Sequence, residues 1–209
     1  MKRIIISMAF LATALCSKAQ TEAGKFVVGG DVEFSSAKND GSFSSTRGLL
    51  LLPNAGYLIA DNLAIGAGIG YQYSRYRQNT GSDVVNENPL SKNHGIIFNP
   101  YVRKYINIAE QFKFFTQLSG YYNRSKSKFE SGNNYTINDY KVDVYGGQLS
   151  PGLVFFPTSK FGIDFALGGI SYYYSRINYN DSPIGASIKS FSGSLNFTAP
   201  RVGVQYYFE

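Results

Sequence analysis

Tryptophan is absent from this chain, and among 209 residues there are one cysteine and one histidine. The cysteine, Cys16, lies within the first twenty residues, so a chain trimmed of that segment has no disulfide and no thiolate chemistry. With one histidine and no such cysteine, the ligands of the usual transition-metal cluster are missing, and no metal or cofactor is expected. Beyond residue 20 there is also no apolar run approaching the roughly 20 residues of a membrane-spanning helix. What remains is rich in other things: 22 Gly, 17 Tyr and 16 Phe.

The opening "MKRIIISMAFLATALCSKAQ" stands apart. Lys2 and Arg3 precede an apolar run from Ile4 to Leu15, and small residues follow near Ser17 and Ala19. This is the layout of a secretory signal peptide, expected over residues 1–20 with cleavage after Ala19 or Gln20, leaving one domain over 21–209. Leu15, where a lipid-attachment site carries a small residue, argues against a lipoprotein at Cys16. Lys2, Arg3 and Lys18 leave with the segment, so 17 bases face 14 acids and the net charge falls from +6 to +3. That balance gives nucleic acid little support as a partner.

The rest of the chain repeats at a spacing of about fifty residues. "LLPNAGYLIADNLAIGAGIGYQYSR", "FNPYVRKYINIAEQFKFFTQLSGYYNRS" and "LSPGLVFFPTSKFGIDFALGGISYYYSR" each carry a proline, an alternating run, a short polar turn and a second alternating run. Period-two alternation broken by Asn, Asp, Gly and Pro is the pattern of hairpins. Eight strands are expected, near 25–37, 46–60, 62–77, 94–107, 111–126, 141–156, 160–178 and 190–208. Each exceeds the roughly 9–11 residues that a tilted strand needs to cross a bilayer. Short connections near 60–62, "INIAEQ" and "PTSK" alternate with four longer polar ones near 38–46, 78–93, 127–140 and 179–189. Short periplasmic turns and long external loops are the habit of outer-membrane barrels.

Parity then assigns the faces. Phe26, Val28, Val32 and Phe34 oppose Asp31 and Glu33; Phe161, Ile163, Phe165 and Leu167 oppose Asp164 and Gly168; Val202, Val204, Tyr206 and Phe208 oppose Arg201, Gly203 and Gln205. Lipid outside and a polar lumen inside account for both faces, and in hydrocarbon only a closed sheet satisfies its backbone. The inward charges are Asp31, Glu33 and Asp164 with Arg103, Lys113 and Arg201. They are expected to pair as a polar plug toward the periplasmic half, since eight strands enclose little more than their own side chains. An ion or proton path is the competing expectation. Pro53, Pro100, Pro151 and Pro200 fall on the outward face of the even strands.

At the opposite end, Tyr73 and Arg75, Tyr122 and Arg124, and Tyr174 and Arg176 close three upward strands, with Arg77, Lys126 and Lys128 nearby. Tyrosine belongs at a membrane interface, and arginine beside it reaches anionic headgroups. These residues are candidates for lipopolysaccharide phosphate contacts, against the plainer expectation of a generic aromatic girdle. His94 in "SKNHGI" has Ser91 near it in sequence but no motif around it. "GAGIG" at 66–70 opens no helix, so its glycines are expected to make room in a crowded lumen.

The ending "RVGVQYYF", with Arg201, Gly203, Tyr206 and Phe208, resembles the sorting signal of outer-membrane proteins, Glu209 extending it by one residue. With it, the chain resembles the small OmpA/OmpX-like outer-membrane β-barrel domain family, and "KAQ" with "GYLIADNLAIGAGIGY" looks like its Bacteroidetes-type members. The resemblance implies an eight-stranded antiparallel up-and-down transmembrane β-barrel, assembled by the barrel assembly machinery in a bacterial outer membrane. Implied partners are membrane lipids and lipopolysaccharide, for a monomer without enzymatic activity. A structural or surface-interaction role, in envelope integrity or adhesion, is expected first. A narrow, porin-like channel for small solutes is the alternative, and a lipid-modifying enzyme built on His94 stands behind it.

Overall fold

The computed structural model describes residues 20–39, 44–78, 90–130, 140–179, 186–195 and 201–209. The expected signal peptide with Cys16, Pro200 and the central parts of the four expected loops lie outside these residues.

Ten strand segments follow one another: β1 (Phe26–Asn39), β2 (Ser44–Ala60), β3 (Leu63–Gln78), β4 (Leu90–Asn107), β5 (Phe112–Glu130), β6 (Tyr140–Phe155), β7 (Phe161–Ala166), β8 (Gly168–Tyr179), β9 (Ala186–Leu195) and β10 (Arg201–Phe208). Sequential neighbours from β1 to β7 pair antiparallel, and β10 closes the ring by pairing with β7 on one side and β1 on the other. The result is an eight-stranded antiparallel barrel, in which β7 with β8 and β9 with β10 are halves of single crossings.

The seventh crossing departs from the expected uninterrupted run at 160–178. Between Gly152↔Ala166 and Leu149↔Ile170, three steps on β6 meet four on its partner, so one extra residue is accommodated as a bulge. Gly168 (φ 94°) and Gly169 (φ 146°) take the conformations that this requires. The bulge reverses parity: Phe161, Ile163 and Phe165 face outward from β7, whereas Ile170, Tyr172 and Tyr174 do so from β8. In the eighth crossing, β9 and β10 are separated by residues 196–200, outside the described set.

The outward prolines have a common setting. Along β2–β3 the ladder skips Leu52 and Pro53, along β4–β5 it skips Asn99 and Pro100, and Pro151 lies at the bulge. In each case a missing proline N–H interrupts pairing with the following strand. At Pro100 a substitute is present: Asn99 Nδ2 donates to Gly120 O at 2.6 Å.

Inside, small residues admit large ones. A methyl at Gly66 would stand 2.6 Å from the phenol of Tyr101, and one at Gly70 would stand 2.8 Å from Leu52. The glycines of "GAGIG" are thus the hollows into which Tyr101 and Leu52 pack. Toward the periplasmic end Val27, Leu58, Tyr105, Phe115, Val154 and Tyr207 form an apolar core.

Outside, each strand presents an apolar band. On β2, Leu49 to Ile59 rises roughly 25 Å at about 3.3 Å per residue and a tilt of about 40°. Phe34, Ile69, Ile96 and Leu118 are each more than half exposed on this wall. So large an apolar surface on a closed sheet is a lipid-facing one, and the strands are transmembrane.

Candidate functional site: the plugged lumen and the cationic rim

The lumen is built in layers. At the periplasmic mouth the chain before β1 folds under the barrel, where Gln20 and Thr21 are buried. Lys113 donates to Thr21 Oγ1 at 2.6 Å and to Asn62 Oδ1 at 3.3 Å, and Asn62 N donates to Thr21 O. Asn62, at φ 60° in the tight turn between β2 and β3, thereby ties the turn to this N-terminal strap. Above lies the apolar core, where the Tyr105 and Tyr207 hydroxyls meet at 3.0 Å.

Next comes the charged layer. Arg103 is buried, its guanidinium 4.3 Å from the Phe115 ring centroid; its Nε donates to Gln117 Oε1 at 2.8 Å and its Nη1 to Asp164 Oδ2. Asp31 pairs with Arg201 at 3.5 Å. Gly203 makes that possible, because a side chain there would collide with the Asp31 carboxylate. The structure therefore brings four of the six expected inward charges together as two pairs. Lys113 stands apart at the mouth, among hydroxyl and amide partners. Glu33 stands apart on the other side, lining a cavity of about 290 Å³ above the charged layer with Gln72, Asn99, Ser119, Gln148 and Arg201. The expected pairing of three acids with three bases is corrected accordingly. Lys113 is the second residue of a strand that begins at the periplasmic mouth, below the charged layer, while Glu33 shares its cavity with Arg201, whose ion pair is with Asp31.

The external rim carries the second constellation. Tyr73, Tyr122 and Tyr174 all face outward, and Tyr122, Tyr145 and Tyr174 occupy directly opposed ladder positions on β5, β6 and β8. Tyr122 and Tyr145 rings lie 5.0 Å apart. Arg124 pairs with Asp143 at 3.6 Å, and Asp143 also stands opposite Arg176. Above this, Arg47 stands opposite Arg75, Arg75 opposite Lys92, and Lys92 opposite Lys128. These four positions form one unbroken outward row of cations across four strands. One row lower, His94 is opposite Lys126, and Lys126 opposite Lys141. Like charges directly opposed across a ladder are destabilising by themselves.

Sequence reasoning singled out Arg75, Arg77, Arg124 and Arg176 but passed over Arg47, Lys92 and Lys141. The signal that finds them is the parity of the downward strands, where they continue the outward faces of Leu49, Ile96 and Tyr145. Assigning that parity needs the strand pairing, which local motifs do not give. His94 faces outward, its Nδ1 2.8 Å from the Tyr71 hydroxyl and its ring 5.1 Å from that of Tyr73. Ser91 is three residues away and so faces the lumen. The two cannot form a nucleophile–base pair.

A closed antiparallel sheet, an apolar wall of bilayer height, a filled polar lumen and an aromatic rim define the class: this is an outer-membrane-type transmembrane β-barrel, and its place is a bacterial outer membrane. No protein-family model and no curated protein matches the chain. Solved structures do. Neisserial surface protein A (NspA) is 15% identical over 89% of this chain and 98% of its own, with a TM-score of 0.45. A major outer membrane protein from Thermus thermophilus is 15% identical over 90% and 100%, with a TM-score of 0.49. Ail, the attachment invasion locus protein of Yersinia pestis, is 18% identical over 89% and 99%, with a TM-score of 0.39. None of these likenesses bears on activity, and the class rests on the barrel's own ladders and lipid-facing wall.

Proposed function

We propose that the protein is a non-enzymatic, monomeric outer-membrane barrel that works from its external rim, in envelope integrity or adhesion. In this reading residues 1–20 direct export and are removed. The barrel assembly machinery reads Arg201, Gly203, Tyr206 and Phe208, and the chain is of the OmpA/OmpX-like, Bacteroidetes-type kind. Tyr73, Arg75, Arg77, Tyr122, Arg124, Tyr174 and Arg176 contact lipopolysaccharide and the membrane interface.

The observation that carries this reading is the contrast between the two ends. The lower lumen is filled by Tyr105, Phe115, Phe156 and Tyr207 beneath the Arg103–Asp164 pair, all of them buried. That packing supports a structural lumen over a solute conduit, and leaves the rim as the working surface. Planar-bilayer recording of the refolded barrel tests the choice: no steady conductance is expected, and a stable open level would replace this reading with the channel. In cells, loss of the protein should raise uptake of an apolar dye, and re-expression should reverse it. Unchanged uptake would count against the envelope role.

A further inference from the structure

We propose that Arg47, Arg75, Lys92 and Lys128 form a dedicated site for a phosphorylated glycolipid of the outer leaflet, placed on the β2–β5 wall rather than spread around the rim. This rests on the outer-membrane reading above and gives its rim a specific ligand. Three consecutive ladders set these side chains directly opposite one another, each outward. Four neighbouring strands at about 4.8 Å spacing make the row about 14 Å long, room for two phosphates on one disaccharide headgroup.

The height fits that ligand. The row lies one outward position above Leu49 on β2 and Tyr73 on β3, where the apolar band ends. On β4 and β5 the positions below are His94 and Lys126. An anion held there belongs to a molecule whose acyl chains run down the same wall. Two guanidiniums can grip phosphate oxygens in pairs, and two ammoniums add point charge.

The site is also one-sided. Opposite Arg47 on β1 stands Ser36, so the row ends at β2. Arg176, on β8, faces Asp143 instead of another cation. Arg47 and Arg75, held directly opposite each other, repel, and a doubly charged anion laid along the row relieves that repulsion. A general girdle would not need such alignment.

The test uses the refolded protein in neutral maltoside micelles, titrated with bisphosphorylated lipid A, its dephosphorylated form, phosphatidylglycerol and inorganic pyrophosphate. Saturable one-to-one binding of the bisphosphorylated lipid is expected, at least tenfold tighter than the dephosphorylated form. Arg75→Gln with Lys92→Gln should weaken it tenfold or more, while Lys160→Gln with Lys189→Gln, away from the β2–β5 wall, leaves it within twofold. Arg47→Gln with Lys128→Gln, at the row's ends, serves if the central pair fails to fold. Equal weakening by both pairs would restore the diffuse girdle. Indifference to phosphate count would remove the site, and pyrophosphate binding as tightly would make it a free-anion site. Failure to insert into any lipid bilayer would strike the outer-membrane reading itself, whereas insertion without phosphate preference strikes only this site.

Discussion

Arg103 and Asp164 face each other across the lumen, joined by Nη1 and Oδ2 from strands 61 positions apart in sequence, with 7% and 2% of their side chains exposed. Each supplies the counter-charge that the burial of the other requires. Asp164→Asn leaves the guanidinium without its counter-charge and should destabilise the barrel by about 3–5 kcal/mol, whereas Arg103→Met with Asp164→Leu should recover most of that loss. Urea titration of the gel-shift midpoint of the refolded barrel measures both. A single variant no less stable than the double would mean that the pair is solvated and carries little.

Gly66 and Tyr101 occupy one space: a methyl on the former would stand 2.6 Å from the phenol of the latter. Gly66→Ala should therefore cost about 1–3 kcal/mol by overpacking. Combined with Tyr101→Leu, the same substitution should cost less than it does alone, the remainder being its contact with Ala55 O at 2.5 Å. A double-mutant cycle with no coupling would show that the two do not share the volume.

Much of this was legible in the sequence because the barrel is local at the level of the strand. Parity alone separates Asp31 from Val32 and Gln205 from Tyr206, and alternating turn lengths orient the sheet. The bulge at Gly168 and Gly169 was not legible, since "LGGI" also reads as an ordinary strand interior. It changes which residues face lipid. The ion pairs were half legible: parity puts Lys113 and Glu33 inward, but only the packed lumen shows that Lys113 lies below the charged layer and that Arg201, beside Glu33, pairs with Asp31. The cation row escaped because it exists between strands. Arg47 and Lys92 are unremarkable in their own segments and become a row only through the register with Arg75.

Lys113 is the buried ammonium without an acid, and its partners are Thr21 Oγ1 at 2.6 Å and Asn62 Oδ1 at 3.3 Å. Thr21→Val keeps the shape and removes the nearer acceptor. A loss of about 1–3 kcal/mol is expected, as for a buried charged donor deprived of a partner. The strap should also loosen from the barrel mouth, so trypsin should cut after Lys25 faster than in the parent protein. Unchanged cleavage with unchanged stability would show that the strap contributes nothing to the seal.

Asn99 and Pro100 make the last prediction, because adjacent residues supply and lack the same thing. The ladder between β4 and β5 runs through Phe98↔Tyr122, stops at Asn99 and Pro100, and resumes at Tyr101↔Ser119. That gap is what the loss of one donation, from residue 100 to Gly120 O, produces. Asn99 Nδ2 fills it at 2.6 Å. The site lies at mid-wall, where a barrel carbonyl left without a donor is costly. Asn99→Leu should lower stability by about 1–3 kcal/mol. In a Pro100→Ala background, residue 100 regains its N–H and can bond Gly120 O directly, so Asn99→Leu should then cost much less. The four proteins, compared by urea midpoint in the same lipid, decide the matter: a full, undiminished loss in the alanine background would mean that Asn99 serves some other end than replacing the proline's missing donor.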